Sequence, residues 1–423
     1  MSLKVLHINT SDSGGAAIAA LRIHFGLLEN GVDSTLMTLF KSKSNIPNHI
    51  VYDGPVINLK PEYPILTLKN VLKEKFTSNY QKEFNKYNLT IVKEKKIKTP
   101  TITNGVKSFG LFSPPFSNYD ITKTQAYKEA DIIHLHWVAD FLDYTSFFSE
   151  NTKPIVWTLH DANPFRGGFH HNDDELRNKD SHGELDNSYK LLKKEAFSKV
   201  KKMIVVSPSY WLAEDAKKSL QFGLNQIKTI RNGIDLSIFQ PRDKKLARSI
   251  FNIPEDVSTF LIASHDLSDY RKGVDLIVPI INNPKWKHVK FVLVGSNSDI
   301  FELNNVIALG SIADERLMAL VYSACDFFLL TSRVDNLPNT MLESIACGTP
   351  VISFPIGDTK ELLKDSKCGI LADEISMPAL ENIMEHCLTN MNQFPTEHLV
   401  NFSNENFSKD KIAEEYFKVY EEF

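Results

Sequence analysis

Two carboxylates eight positions apart, Asp335 and Glu343, bracket the stretch Asn336-Leu337-Pro338-Asn339-Thr340-Met341-Leu342. Pro338 suits the start of a helix, because the N–H it lacks is one that a helix start leaves unbonded anyway. The free backbone N–H groups of the first turn, with the positive end of the helix, then make a seat for an anion such as a diphosphate. Glu343 falls one and a half turns inside, where a carboxylate can accept two hydrogen bonds from a ribose diol. The plainer reading, in which Pro338 and Asn339 cap a helix and Glu343 is solvated, stays open on these residues alone.

Asp269-Tyr270-Arg271-Lys272-Gly273 places two adjacent cations just before a glycine that can open a helix. Such a pair can neutralise a pyrophosphate as a bond to it breaks, in place of a metal ion; a solvated Arg-Lys pair is the common alternative. Gly14 and Gly15 follow an apolar run without forming GxGxxG or a Walker sequence, which disfavours a nicotinamide or P-loop site. In His134-Leu135-His136-Trp137 strand alternation sets both histidines on one side, and only His136 is near the strand end. His160 and Asp161 end another apolar run and could orient an acceptor hydroxyl. The neighbouring His170 and His171 complete no standard metal spacing, so no metal is expected.

The elements that must position these residues are legible. Leu3 to Asn9 is an apolar strand, Ile18, Leu21, Phe25 and Leu28 recur at helical spacing, Gly31 stops that helix, and Ser34 to Phe40 is a second strand. Short strand-helix-strand connections imply a parallel sheet. Residues 41–120 break the rhythm as a polar insertion with one expected helix near Leu66 to Lys75, after which strands return at 131–136, 154–160 and 203–207. Asn232-Gly233-Ile234-Asp235 has linker chemistry, and a second array has strands at 259–264, 289–294, 306–309, 326–331, 350–354 and 369–372. The expected fold is α/β with two doubly wound Rossmann-like domains facing across a cleft: 1–238, 239–405, and a final segment 406–423 returning to the first. Ligands in such sheets bind beyond the carboxyl ends of the strands, which is where the motifs fall.

A chain of 423 residues exceeds what one core usually organises, and 42% hydrophobic with 24% charged residues is an ordinary globular composition. A net charge of -4 gives no global attraction to nucleic acid, so no nucleic-acid partner is expected. The four cysteines lack CxxC spacing and read as buried thiols. The opening residues turn polar too soon for a signal peptide, and no window approaches a membrane span, so a cytoplasmic site is expected. Within the insertion, lysines from Lys69 to Lys98 accompany Leu66, Leu68, Val71, Leu72 and Phe76, a basic stretch with an apolar side that would suit peripheral contact with the inner membrane leaflet.

The acid, seven residues, acid pattern with the tail Cys347-Gly348-Thr349-Pro350 resembles retaining glycosyltransferase family 4, and the stretch around His160 to His171 is similar to members making bacterial capsule and exopolysaccharide. The resemblance spans nearly the whole chain outside roughly 41–110. It implies the GT-B fold, a nucleotide diphosphate sugar as donor, a glycan or lipid-linked sugar as acceptor, and no metal or other cofactor. Carried over by position, Asp335 contacts the donor sugar, Glu343 holds the ribose, His136 borders the sugar, and Arg271 and Lys272 steady the diphosphate. The donor-binding set expected is Gly14, Gly15, Ile312, Leu337, Asn339, Thr340 and Glu343, with His160 and Asp161 on the acceptor side. Three departures stand out: Asp335 for the usual Glu, Pro338 where Gly is frequent, and no second basic residue earlier in the loop, where His265 and Asp266 stand. A sugar-nucleotide epimerase and a noncatalytic sugar-nucleotide-binding subunit are the competing readings.

Overall fold

The computed structural model describes residues 3–56, 111–298, 303–364 and 367–423. Both the helix expected near Leu66 to Lys75 and the lysine-rich run lie outside the described residues. In the first half, β1 (Lys4–Ser11), β2 (Asp33–Phe40), β3 (His49–Val51), β4 (Ile132–Leu135), β5 (Ile155–Thr158), β6 (Met203–Ser207) and β7 (Gln226–Thr229) form one sheet in the order β3-β2-β1-β4-β5-β6-β7. In the second half, β8 (Thr259–Asp266), β9 (Lys290–Ser296), β10 (Val306–Ala308), β11 (Phe327–Leu330), β12 (Val351–Ser353) and β13 (Gly369–Leu371) form another, ordered β10-β9-β8-β11-β12-β13. Every pairing between these strands is parallel, the expected pair of doubly wound sheets.

Helices cover both faces of each sheet, so central strands read as unbroken apolar runs rather than alternating ones. All residues of β4, β5, β6 and β11 are buried. Two edge strands escaped the sequence reading: β3, inside the stretch assigned to the insertion, and β7, beyond the three strands assigned after it. Their sequences, His-Ile-Val and Gln-Ile-Lys-Thr, are short and not fully buried, so no apolar run marks them.

The order reverses between β1 and β4 in one sheet and between β8 and β11 in the other, and a crevice opens at each reversal. Helix α1 (Gly15–Glu29) follows β1, α2 (Val274–Asn282) follows β8, α3 (Glu315–Ala324) precedes β11, and α4 (Asn339–Ala346) follows it. After α5 (Thr396–Phe407) the chain crosses back: Ile234 N donates to Phe407 O at 2.6 Å, and Lys409 N donates to Ile234 O at 3.0 Å. The last helix, α6 (Lys409–Tyr420), buries Ile412, Ala413, Tyr416, Val419 and Tyr420 in the first domain's core. A Cβ on Gly26 would lie 2.8 Å from that of Ala413, so glycine is what lets α1 and α6 approach this closely.

Candidate active site

On the second domain, Lys272 Nζ is 2.6 Å from Asp335 Oδ2, joining the loop after β8 to the loop after β11. Two further bonds press the loops together, Thr331 Oγ1 to Lys272 O at 2.7 Å and Arg333 N to Arg271 O at 2.7 Å. Gly273 permits this approach: its φ is +65°, and a Cβ there would meet Thr331 O at 2.0 Å. Burial would raise the pKa of Asp335, but the adjacent Lys272 and Arg271 hold it below the ordinary value, so it stays ionised. Arg271 donates to Asp269 Oδ2 at 2.7 Å and to His171 Nε2 at 3.0 Å. Burial, then the Arg271 charge, push His171 down to about 4, so this ring is a neutral acceptor.

Helix α4 starts as expected after Pro338, and its first residue reaches the other domain: Asn339 Nδ2 donates to Gly15 O at 3.0 Å. Asn232 Nδ2 holds Asn339 Oδ1 at 3.0 Å, fixing the amide's orientation. Thr340 is partly buried in the same turn. Leu337 is buried in the second domain's core and its carbonyl accepts from Asn232 Nδ2 at 3.5 Å, while Ile312 packs against that core at a loop before α3. Glu343 is 7% exposed. Both its oxygens are engaged, Oε1 by Arg22 Nη2 at 2.7 Å and Oε2 by the Tyr322 hydroxyl at 3.0 Å. The solvated reading of Glu343 is thereby excluded.

On the first domain, Asp12 accepts from Ser42 N, Ser42 Oγ and Lys43 N, and so fixes the loop after β1. Gly14 caps α1 at φ +91°, and a Cβ on Gly14 or Gly15 would meet only open space within 4 Å. The loop therefore leaves room for a ligand at the start of α1. Beyond β4, His136 is 1% exposed and belongs to a chain of imidazoles: His7 Nδ1 lies 2.9 Å from His136 Nε2, and His136 Nδ1 lies 3.1 Å from His160 Nε2. Burial, reinforced by repulsion from His134, holds His7 and His136 well below their ordinary pKa, and burial pushes His160 to about 4. The chain is therefore uncharged at neutral pH.

His7 Nε2 finds no partner among the described residues. A bare lone pair costs less to bury than an unpaired N–H, so the protons run from His7 toward His136 and His160, making His160 Nδ1 a donor. His134 is set apart from this chain by hydrogen bonds to the Tyr420 hydroxyl at 2.7 Å and Thr158 Oγ1 at 2.8 Å. His7, His134 and His136 bring nitrogens within 4.8 Å of one another, the spacing of a metal cluster. Both nitrogens of His134 and of His136 are already in hydrogen bonds, so this donor set does not fit a metal without breaking the chain.

His136, His160 and Asp161 line one recess with Trp137, Tyr144 and Pro164. Asp161 is committed to the protein itself: Oδ2 accepts from Trp137 Nε1 at 2.9 Å and His170 Nδ1 at 2.6 Å, and Oδ1 accepts from Asn163 N at 2.9 Å. Burial would raise its pKa, yet His170 holds it far below the ordinary carboxylate value. The domains also meet through Asn336, which donates to Leu159 O and His160 O at 3.4 Å, and through Asp358, which accepts from Tyr210 N and Trp211 N. His7, Arg22, Tyr322 and Asn336 were not singled out from the sequence. Arg22 and His7 left a signal, each a polar residue inside an apolar run; Tyr322 and Asn336 left none that spacing could find.

Residues 13–238 match the family described as Glycosyltransferase Family 4, and residues 258–390 match Glycosyl transferases group 1. An O-antigen biosynthesis glycosyltransferase, WclY of Escherichia coli, is 27% identical over 232 residues, covering 52% of this chain and 61% of that protein. Glycogen synthase of Elusimicrobium minutum (strain Pei191) is 24% identical over 260 residues, covering 51% of this chain and 54% of that one. These matches thus span little more than half the length of the relatives. In three dimensions, sucrose-phosphate synthase from Thermosynechococcus elongatus superposes with a TM-score of 0.67 at 16% identity, covering 99% of this chain and 98% of that chain. HepE of Anabaena in complex with UDP-glucose gives 0.64 at 15% identity with all of both chains covered. At these identities the likeness establishes the two-domain GT-B fold.

Proposed function

Because the chain belongs to glycosyltransferase family 4, whose description matches more than half of it, we propose that it moves a hexose-type sugar from a nucleotide diphosphate to an acceptor hydroxyl with retention, without a metal ion, in surface polysaccharide assembly. One observation carries the reading. The two halves of the expected donor seat, the Gly14-Gly15 loop and the start of α4, touch through Asn339 and Gly15 at the reversal points of both sheets. Kinship with an O-antigen glycosyltransferase supports the polysaccharide role, and the UDP-glucose complex of a protein of the same fold supports the donor class.

In this proposal the diphosphate sits at the start of α4, and Lys272 and Arg271 exchange part of their carboxylate contacts for phosphate oxygens as negative charge grows there. Asp335 and His136 hold the sugar. The C1–O bond to the diphosphate breaks, the acceptor oxygen bonds to C1 on the same face, and its proton passes to a departing phosphate oxygen. His160, a neutral donor, orients the acceptor, while Asp161 positions the walls of that recess through Trp137 and His170. Among the described residues no helix is long and apolar enough to cross a membrane, and peripheral contact through the lysine-rich insertion would bring the cleft to a lipid-linked acceptor. Co-sedimentation with anionic vesicles at low salt tests that part, and no binding would remove it.

The central experiment is a thermal-shift screen of nucleotide sugars in EDTA, followed by transfer assays on glycan and lipid-linked acceptors with the product's anomeric configuration read by NMR. Retention in EDTA is expected. A donor that is isomerised, or bound but never transferred to a broad acceptor panel, would overturn the proposal.

A further inference from the structure

Arg22 lies on the stretch of α1 whose neighbours Ala19, Ala20, Leu21 and Ile23 are buried core, and it is itself 4% exposed. Among the described residues one nitrogen carries all its hydrogen bonds: Nη2 reaches Glu343 Oε1 at 2.7 Å and Glu315 Oε1 at 2.9 Å, both on the second domain. The Phe239 ring lies 5.2 Å from the guanidinium carbon. Nε and Nη1, which together carry three N–H donors, have no partner among the described residues. Leaving buried charged donors unused is expensive, and two carboxylates facing one cation leave an excess of negative charge.

The group that answers both conditions is one whose oxygens accept from a guanidinium while their protons donate to carboxylates. A vicinal diol does both. A phosphate would satisfy Arg22 but be repelled by Glu315 and Glu343. We infer that Arg22 is a second ribose-binding residue, supplied by the first domain opposite Glu343, so that the nucleotide's ribose seat spans the cleft and selects ribonucleotides over deoxyribonucleotides. The inference rests on the proposed nucleotide donor. Tyr322 holds the second oxygen of Glu343, which fixes the carboxylate plane and leaves lone pairs on both oxygens for the diol. Nucleotide binding then draws on both domains even before an acceptor arrives.

Calorimetric titration of the full chain with uridine, adenosine and guanosine diphosphates, and with their 2′-deoxy and 3′-deoxy forms, tests this. The unsubstituted protein should prefer the ribo form of its nucleotide over at least one deoxy form by about tenfold or more. Arg22→Lys keeps a cation beside Glu315 and Glu343 but loses the forked donors. It should lower ribo affinity about tenfold, leave deoxy affinity nearly unchanged and so abolish most of the preference. Arg22→Ala should do the same, and if it melts without cooperativity the lysine variant carries the test. An unchanged ribo-to-deoxy ratio in Arg22→Lys overturns the inference. So does equal binding of ribo and deoxy forms by the unsubstituted protein, in which case the donor proposal stands. Binding of no nucleoside diphosphate at all would remove both.

Discussion

The two faces of the cleft are built from opposite chemistry. The second domain presents formal charges held in pairs, Lys272 with Asp335, Arg271 with Asp269, and Glu343 with an arginine borrowed from across the gap. Around the recess beyond β4 and β5 the first domain presents uncharged rings, with His7, His136 and His160 kept neutral by burial and the Asp161 carboxylate bound by its own neighbours. Ion pairs can trade one partner for another, so a charged surface of this kind suits a diphosphate whose charge changes during reaction. A neutral array of donors and acceptors suits hydroxyl groups, which need orientation rather than neutralisation. On the proposed function, charge compensation falls to one face and sugar geometry to the other.

The largest effect should come from discharging the second face. Arg271→Ala with Lys272→Ala is expected to cut turnover by about 10²- to 10³-fold while raising the apparent Michaelis constant much less. Steady-state kinetics decides, and an equal loss of ground-state affinity with turnover intact would erase the contrast. Next is an acid-induced loss of stability located on the first face. The folded pKa values of His7, His134 and His136 lie below the unfolded value of 6.5, so below pH 6.5 the unfolded chain takes up protons that the folded chain refuses. Stability is full above pH 6.5 and falls as pH drops, by up to about 1.4 kcal/mol per unit for each histidine. Melting curves from pH 8 to pH 5 should be flat and then decline; a plateau down to pH 5 would mean the rings are not held neutral.

Two single substitutions sharpen the division. Glu343→Ala should weaken binding of the bare nucleoside diphosphate about tenfold to a hundredfold, since a hydrogen bond to a charged group contributes about 1.5–3 kcal/mol in ground and transition states alike. Calorimetry checks it, and an unchanged dissociation constant removes the ribose role. The smallest effect is expected of His136→Ala: about a tenfold loss of transfer with nucleotide affinity unaltered. If that variant loses nucleotide affinity as well, the first face does more than orient the sugar.

Local patterning determined a large share of this protein. Apolar runs of strand length, helical periodicity, and the proline and glycines at strand-to-helix turns are properties of neighbours in sequence, so they specified two parallel sheets and put the motifs at strand ends. Asp335, Lys272, Asn339 and Gly15 could be singled out because each lies at such a turn. Tertiary structure alone decided which of them meet. The Arg22 contact with Glu343 joins residues 321 positions apart, and the imidazole chain joins β1 to the ends of β4 and β5. Edge strands β3 and β7 were missed for the same reason that the cross-domain pairs were: their identity comes from what they are placed against, not from their own residues. Side-chain hydrogen bonds between distant elements depend on three-dimensional direction, and no spacing along the chain encodes that.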